Sequence, residues 1–308
     1  MTATIHQLAP ERRLRRLELL VTRRLDGLLQ GQYLGLLPGP GSEFAGSREY
    51  RPGEDEVRRM DWAVTARTNV PHVRQVDADR ELTTWILVDG SASMDFGTAE
   101  IEKRELAVAA VAAVGFLTAG FGNRLGAHLV DGTRRVFRAR TGRTHLRGVL
   151  RALLDAPRVA EGDPTPLAAA VAGVARSARR RGLVVVVSDF LDDSSWAAEL
   201  RRLAARHQVL AVEVADPREL ELPDVGLITL VDTETGLRRE VSTASRKLRA
   251  DYAAAAAAQR SEVRAAIRAA GAVHLPLRTD RDWVVDIVRH VLTQRRLAAA
   301  APRKGGAA

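Results

Sequence analysis

The feature of the sequence that most limits the possible folds is a set of short, continuously apolar runs separated by stretches of helical character. Three runs have the length of a strand: 84–88 (TWILV), 183–188 (LVVVVS) and 209–215 (VLAVEVA). Unbroken rather than alternating hydrophobicity is typical of parallel strands that are covered on both faces. Strands that alternate with helices predict an open, doubly wound α/β sheet.

Further elements extend this pattern. Segments 123–131 and 133–140 have strand character and are joined by Asp131-Gly132, a dipeptide that favours a hairpin turn. The sequence LITLVDTETGLRREV indicates a second hairpin, and 272–277 indicates a last strand. We predict helices at about 99–119, 143–155, 166–181, 195–206, 244–270 and 282–299. The chain therefore predicts a six-stranded, mostly parallel sheet over residues 80–300, flanked by helices.

The flanks of this domain differ from it in composition. Residues 1–79 combine an amphipathic helix, predicted at 10–30, with a segment dense in both charge signs. We expect the apolar stripe of that helix to dock on the domain, while docking on a partner is the alternative. The apolar stripe of this helix consists of Leu14, Leu17, Val21, Leu25 and Leu28.

Residues 301–308 are expected to form a flexible tail.

Composition excludes several classes of protein. The chain has no cysteine, so it can form neither a disulfide framework nor a thiolate metal site, and its seven histidines lack the spacing of a zinc-binding helix. The longest low-charge run, 106–122, is at the lower limit for crossing a bilayer and is interpreted as a helix buried in a domain. No signal peptide is visible, so we expect a cytoplasmic protein without a membrane span.

Charge gives only weak information about partners. The net charge is +9, and only three of the 47 basic residues are lysine, a bias typical of a GC-rich bacterial genome. The segment from Arg246 to the end holds 13 basic and 5 acidic residues. A solvated helical face accounts for this excess better than an anionic partner does, so no nucleic acid is expected.

Two aspartates stand at the ends of two predicted strands. Asp89 ends the first run and is followed by Ser91 and Ser93, and Asp189 follows the 183–188 run. The carboxyl ends of parallel strands meet at one edge of a sheet, where ligands bind. Thr165 precedes a predicted helix and supplies a further hydroxyl. Two carboxylates and three hydroxyls suit a hard divalent cation, either Mg²⁺ or Mn²⁺.

The stretch DGSAS resembles the D-x-S-x-S metal-ion-dependent adhesion site of von Willebrand factor A domains, with Thr165 and Asp189 at the positions of the later Thr and Asp. The segment EFAGSREYRPGEDEVRRMDWAVTARTNVPHVR resembles the signature of the domain-of-unknown-function 58 family, whose core is A-domain-like. The resemblance covers roughly residues 33–300. It departs from the family at Glu54, where Asp is usual, and at Asp163-Pro164, where Gly-Gly is common before the Thr.

This resemblance implies a non-enzymatic, metal-dependent protein-binding module. The family often acts beside a MoxR-type AAA+ ATPase in assembling or maturing other proteins, so an AAA+ ATPase is the expected partner. We expect an acidic side chain of a partner protein to complete the metal shell. Residues of the charged segment are candidates for supporting the site or for a structural ion-pair network: Arg48, Tyr50, Asp55, Arg58, Asp61, Trp62 and Arg67.

Alternative roles remain open for the ligands. The serines can cap a turn, Asp189 can cap the loop after its strand, and Thr165 can cap the helix that follows it. In a second interpretation the protein is a metal-dependent phosphatase-like enzyme with Asp89 as the nucleophile. Haloacid dehalogenase-like phosphatases need a second carboxylate two residues later, where this chain has Ser91. No phosphate-binding loop or His-based triad is present in the sequence.

Overall fold

The computed structural model of the protein describes residues 47–50, 57, 60–74, 83–99, 101–119, 123–158, 166–231 and 237–300. Within this part the chain forms two compact units, one within residues 38–81 and a second from residue 82 onward. The predicted helix at 10–30, the tail at 301–308 and Thr165 lie outside the described residues.

The smaller unit is a short strand pair with one helix. Strand β1 (Ser47–Glu49) pairs antiparallel with β2 (His72–Arg74), and helix α1 (Trp62–Thr68) lies between them in the chain. Asp61 is buried and its carboxylate accepts a hydrogen bond from the Val64 backbone N–H at 3.2 Å, which caps the helix. The charge-dense sequence gave no prediction for these elements, because it lacks a clear hydrophobic period.

The larger unit is built on a six-stranded sheet in the order β10-β7-β6-β3-β4-β5. All neighbouring strands are parallel except β4 and β5, which form an antiparallel hairpin. This confirms the predicted six-stranded, mostly parallel sheet. The strands are β3 (Thr83–Asp89), β4 (Arg124–Val130), β5 (Arg134–Arg140), β6 (Leu183–Ser188), β7 (Gln208–Ala215) and β10 (Val273–Arg278).

Helices cover both faces of this sheet. One face carries α2 (Lys103–Ala119), α3 (Arg143–Leu154) and α8 (Trp283–Ala300). The other face carries α4 (Leu167–Ser177), α5 (Trp196–Ala204) and α7 (Arg246–Ala269). The two layers of helix are the reason the central strands are apolar on both sides.

The side chains of β3 show how one strand serves both layers. Ile86 and Val88 belong to the apolar cluster under α2, while Leu87 belongs to the cluster under α4 and α5. Successive side chains of a strand point to opposite faces, so a strand packed on both faces has no polar side. The continuous hydrophobicity of the sequence is therefore explained.

The low-charge run that starts at Leu106 forms most of α2, whose residues 106–114 are all buried. This confirms the prediction of a helix buried inside a domain. No helix in the described part of the chain is both long and apolar enough to cross a bilayer.

Two predicted helices have different bounds. The first begins at Lys103 rather than near 99, because Asp216 accepts hydrogen bonds from both the backbone N–H and the hydroxyl of Thr98 and holds this segment away from the helix. The helix predicted at 166–181 ends at Ser177.

The second predicted hairpin is also present, as a separate two-stranded sheet. Its strands are β8 (Leu227–Val231) and β9 (Arg238–Ser242), which pair antiparallel. A single helical turn, α6 (Pro217–Leu220), precedes it and is closed by a capping box between Asp216 and Glu219. This turn brings Glu219 toward the carboxyl edge of the large sheet.

Candidate metal site at the carboxyl edge of the sheet

The register of β3 and β6 places the two predicted aspartates side by side. Val88 pairs with Val187, so Asp89 stands opposite Ser188, and Asp189 is one residue further along. The Ser188 hydroxyl donates a 2.5 Å hydrogen bond to Oδ2 of Asp89. The two strand ends are thus tied together by a side-chain bond.

The loop after β3 brings both predicted serines to the same point. The backbone N–H of Ser91 donates to Oδ1 of Asp89 at 2.9 Å, and the hydroxyl oxygens of Ser91 and Ser93 lie 3.0 Å apart. A 3₁₀ helix (Ala92–Asp95) follows directly. Gly90 passes close to β4, since a Cβ there would lie 3.0 Å from the carbonyl oxygen of Val130. A small residue at this position therefore lets the loop turn tightly.

Asp189 is more deeply buried than Asp89 and has more partners. Its side chain accepts from the Leu191 backbone N–H at 3.1 Å and from Nζ of Lys103 at 2.8 Å. The Ser93 side chain also hydrogen bonds to it, which links the two loops. Four of the five predicted ligands, namely Asp89, Ser91, Ser93 and Asp189, are therefore brought together by the fold.

The backbone directly after Asp189, in the loop that follows β6, is locally strained. Phe190 has a φ of 57°, in the left-handed region that a bulky residue rarely occupies. Its ring is buried and lies 5.1 Å from that of Trp196, measured between centroids. Packing of the ring thus fixes the turn that follows Asp189.

Lys103 is a component of the site that sequence reasoning missed. Its side chain is completely buried, and Nζ lies 2.8 Å from Asp189 and 2.5 Å from Glu219. The one available signal was that lysine is rare in this arginine-rich chain and that this lysine opens the apolar helix α2. A lysine is almost never fully buried unless it is paired with an acidic residue, and the sequence did not show which acidic residue that would be.

An ion network extends from Lys103 away from the site. Arg260 on α7 contacts Glu219 at 3.1 Å and Glu213 at 3.0 Å, and it also donates to the backbone oxygen of Asp189 at 2.9 Å. Glu213 also lies 2.6 Å from Nε2 of His274. The loop that carries Asp189 is therefore held both by its carboxylate and by its main chain.

The two aspartates differ in their electrostatic environments. Burial, and then repulsion by Asp189, raises the pKa of Asp89. Burial also acts to raise the pKa of Asp189, but the Lys103 ammonium and several hydrogen bonds outweigh it and hold that pKa below its usual range. Asp189 and Glu219 likewise outweigh the burial of Lys103 and raise its pKa, so the ammonium stays charged. Of the two aspartates, Asp89 is the one that has no compensating cation in the part of the chain that the structure describes.

The charges of the network leave room for a divalent cation. It contains four carboxylates (Asp89, Asp189, Glu213 and Glu219) against two permanent cations, Lys103 and Arg260. No lysine or arginine of the described part of the chain contacts Asp89. The side chains beside Asp89 that the structure describes, those of Ser91, Ser93 and Ser188, offer hydroxyl oxygens, and oxygens are the ligands that Mg²⁺ and Mn²⁺ prefer. The residues present therefore fit a hard cation.

Carboxylates alone do not define the site. Among the residues that the structure describes, no group of three or more His, Asp or Glu side chains is arranged to hold a metal ion. The candidate site instead pairs two aspartates with serine hydroxyls. Serine hydroxyls carry no charge, so only the D-x-S-x-S spacing of the sequence indicates them as ligands.

Neighbouring acidic residues have structural roles. Oδ2 of Asp192 accepts from the backbone N–H of Leu167 at 3.0 Å, and the Ser194 hydroxyl accepts from that of Ala168 at 3.1 Å. The loop after β6 thus caps the start of α4 from outside the helix. Asp95 is paired with Arg104. Thr165 lies outside the described residues, and its predicted role as a ligand stays a prediction.

Residues of the charged signature belong to the smaller unit. Trp62 is 67% exposed and Arg67 is also exposed. The backbone N–H of Tyr50 donates to the Pro71 carbonyl at 2.8 Å, and Arg48 pairs with Val73 across β1 and β2. Asp61 is a helix cap, whereas Asp55 and Arg58 lie outside the described residues.

Comparison with known proteins shows the family. The model described as "Protein of unknown function DUF58" matches residues 46–262, and the chain belongs to this family. The Uncharacterized protein Rv1480 of Mycobacterium tuberculosis (strain ATCC 25618 / H37Rv) is 56% identical over 288 residues, which cover 93% of this chain and 90% of that protein.

Two solved structures are similar at low sequence identity. The conserved hypothetical protein BatB from Bacteroides thetaiotaomicron has a TM-score of 0.43 and 12% identity, and the match covers 70% of this chain and 99% of that chain. The von Willebrand factor type A structure from Catenulispora acidiphila has a TM-score of 0.40 and 11% identity, covering 73% of this chain and 43% of that chain.

Proposed function

We propose that the protein is a non-enzymatic, divalent-metal-dependent protein-binding module of the von Willebrand factor A-like type. Asp89, Ser91, Ser93, Asp189 and Thr165 would hold Mg²⁺ or Mn²⁺ at the carboxyl edge of the sheet. The observation that carries the proposal is that Asp89 has no cationic partner in the described part of the chain, beside an ion network whose carboxylates outnumber its permanent cations. A divalent ion would supply the two missing positive charges.

The chain's own residues divide the work of such a site. Asp89 offers the carboxylate that no protein cation neutralises, and the serine hydroxyls offer neutral oxygens beside it. Lys103 keeps Asp189 ionised and fixes its orientation. Asp89, Ser91 and Ser93 are each partly exposed, so an acidic side chain of a partner protein can reach the site and complete the shell of the ion.

The proposed partner is an AAA+ ATPase of the MoxR type, with the module serving as an adaptor or assembly factor. This part rests on the family resemblance of the sequence and on the metal-dependent binding mode. An acidic side chain on the partner or on its client is what the site chemistry requires.

The phosphatase alternative gains little from the geometry. Lys103 is the only lysine near the site within the described residues, and it contacts Asp189 rather than Asp89. The position two residues after Asp89 is Ser91, whose N–H caps the Asp89 carboxylate. A general acid for a leaving group is therefore lacking beside Asp89 in the described part of the chain.

The test combines metal binding with partner capture. Mn²⁺ binding to the full chain is measured by electron paramagnetic resonance, and the full chain is then used to capture the cell's AAA+ ATPase with Mg²⁺ or EDTA. We expect both signals with the native protein, and their loss in Asp89→Ala. Asp155→Ala serves as the matched control, because Asp155 is exposed at the end of α3.

Three results would overturn the proposal. Equal Mn²⁺ binding by the native protein and Asp89→Ala would remove the site, and ATPase capture that EDTA does not reduce would remove the metal-dependent role. Hydrolysis of a phosphate ester that disappears in Asp89→Ala would transfer the site to the enzyme hypothesis.

A further inference from the structure

A second surface of the larger unit has an unusual charge. Residues 134–154 contain seven arginines and no aspartate or glutamate. Arg135 is paired with Asp131 and Arg151 with Asp155, both just outside this segment. Of the others, Arg138, Arg140 and Arg143 are exposed and contribute positive charge to this surface. The segment comprises β5 and α3, so the charge is concentrated on one side of the fold.

Strand β5 is the last strand of the sheet on this side. It runs for seven residues beside β4, and no other described strand pairs with its outer edge. Peptide groups along a free edge are a template for a further strand. Val136, at 46% exposure, is one of the large apolar side chains left exposed, and it lies in this strand.

A bulge in β5 forms a cleft beside this edge. Ala127 pairs with Phe137 but Leu125 pairs with Arg140, so the extra residue brings Arg140 to the same face as Phe137. A cleft of about 520 Å³ opens between this face and α3. Its wall is lined by Phe137, Arg140, Thr141, Thr144, His145, Gly148 and Val149. The cleft thus combines a phenyl ring, aliphatic surface and hydroxyls with one arginine and one histidine.

The cleft lies far from the candidate metal site. Asp89 pairs with Val130, and Val130 pairs with Arg134, at the carboxyl end of β4. Leu125 and Arg140 pair at the amino end of β4. Strands of this length rise by about 3.3 Å per residue, which separates the two ends by roughly 20 Å. Binding at the cleft therefore does not need the metal.

We propose that β5 and α3 form a docking surface for an acidic, extended segment of a partner protein. The segment adds as a strand to the outer edge of β5, places carboxylates against Arg138, Arg140 and Arg143, and inserts an apolar side chain into the cleft. Main-chain pairing supplies affinity in this mode, and side-chain pockets supply specificity. These three arginines are exposed and have no acidic partner in the described part of the chain.

A peptide fits this surface better than a nucleic acid does. Phosphates would use the arginines but leave the apolar cleft and the free peptide edge without partners. An acidic peptide uses all three features at once. The charge complementarity also excludes a second copy of this surface, since it would bring like charges together.

The test uses a labelled peptide of about ten residues built from Glu-Glu-Val-Val repeats, which presents both residue types on each face of an added strand. Its binding to the full chain is followed by fluorescence anisotropy. We expect Arg140→Glu to weaken binding at least about tenfold, because the loss of a charged residue at the centre of an interface typically has an effect of this size. Gly148→Leu should weaken it similarly by filling the cleft. A Cβ at Gly148 would have no atom within 4 Å, and replacing a glycine inside a helix favours the helical state, so this variant should stay folded.

Three controls make the test decisive. Arg264→Glu introduces the same charge change on the exposed side of α7 and should bind as the native chain does. Binding should be unchanged in EDTA and in Asp89→Ala. A peptide N-methylated at alternate residues should bind at least about tenfold more weakly, since it cannot complete the ladder.

The proposal fails if Arg140→Glu and Gly148→Leu bind as tightly as the native chain, or if the N-methylated peptide binds equally well. It also fails if a single-stranded oligonucleotide binds more tightly than the peptide and loses its binding in Arg140→Glu. That last result would assign the surface to nucleic acid.

Discussion

At the scale of single residues, Lys103 has the largest structural role in the candidate site. Its ammonium is the partner of both Asp189 and Glu219, and no solvent reaches it. A buried ion pair does not stabilise a fold strongly in itself, but removing one partner leaves the other buried without compensation. The position therefore tolerates loss of charge poorly.

We predict that Lys103→Met lowers the free energy of unfolding by about 3–5 kcal/mol, because the buried Asp189 carboxylate loses its cation and Glu219 keeps only Arg260, while the side-chain volume is kept. Urea denaturation of the native chain and the variant measures this. Lys247→Met is the control, since Lys247 is exposed at the start of α7 and its replacement should change stability by less than about 0.5 kcal/mol. Equal stability of the two variants would show that Asp189 does not depend on Lys103.

At the scale of elements, close approach between chain segments decides where glycine is needed. Gly182 immediately precedes β6, and a Cβ there would collide with the backbone oxygen of Thr83 at the start of β3. Backbone cannot rotate away as a side chain can, so the two central strands would have to move apart. Gly148 on α3 has open space around it, and its replacement should have the opposite effect.

We predict that Gly182→Ala destabilises the protein by about 1–3 kcal/mol through overpacking. Gly148→Ala should stabilise it by about 0.5–1 kcal/mol, because alanine has a higher helix propensity than glycine. Thermal or urea unfolding of both variants and the native chain measures the sign of each change in stability. Two changes of the same sign would contradict this account of the packing.

Elements with a strong hydrophobic pattern were predictable from the sequence. The runs that became β3, β6 and β7, and the buried helix α2, follow directly from strand and helix periods. The late start of α2 was not predictable, since it depends on Asp216, which is 118 residues from Thr98 in sequence. Local patterns contain no information about such distant partners.

The candidate site was predictable to a similar extent. The aspartates and serines follow strand ends and a short motif, so their convergence could be inferred from the parallel order of the strands. Lys103 and the network behind it come from α2, α6, α7 and β7, whose relative positions depend on tertiary packing. The bulge that forms the cleft beside β5 depends on a one-residue register shift that the sequence does not display.

At the scale of the whole molecule, buried histidines set the response of stability to pH. Burial, followed by repulsion from Arg134 and Arg176, lowers the pKa of His128 to about 4. Its Nε2 lies 2.9 Å from the Ser177 hydroxyl, while Nδ1 has no partner in the structure described. Protonation would bury an unpaired charged N–H, so the folded protein keeps this ring neutral.

We predict that stability falls as the pH is lowered from about 6.5 to about 4. In this pH window His128 binds a proton in the unfolded chain but not in the folded chain. Each drop in pH therefore favours the unfolded chain further, and the free energy of unfolding decreases. The contribution is at most about 3 kcal/mol. His128→Gln should flatten the pH dependence of the urea midpoint over this range. A variant with the native slope would assign acid sensitivity to other groups.

The strand order also has a consequence for how the protein folds during synthesis. Asp89 and Ser188 are neighbours across β3 and β6 although 99 residues separate them in the chain. Until β6 leaves the ribosome, the apolar strand β3 has one edge without its native neighbour, and such edges pair readily with other chains. The pairing of distant segments is slow compared with local hairpins such as β4–β5. The nascent chain therefore passes through an aggregation-prone interval that ends only when residues 183–188 are available, and co-translational chaperones would act in that interval.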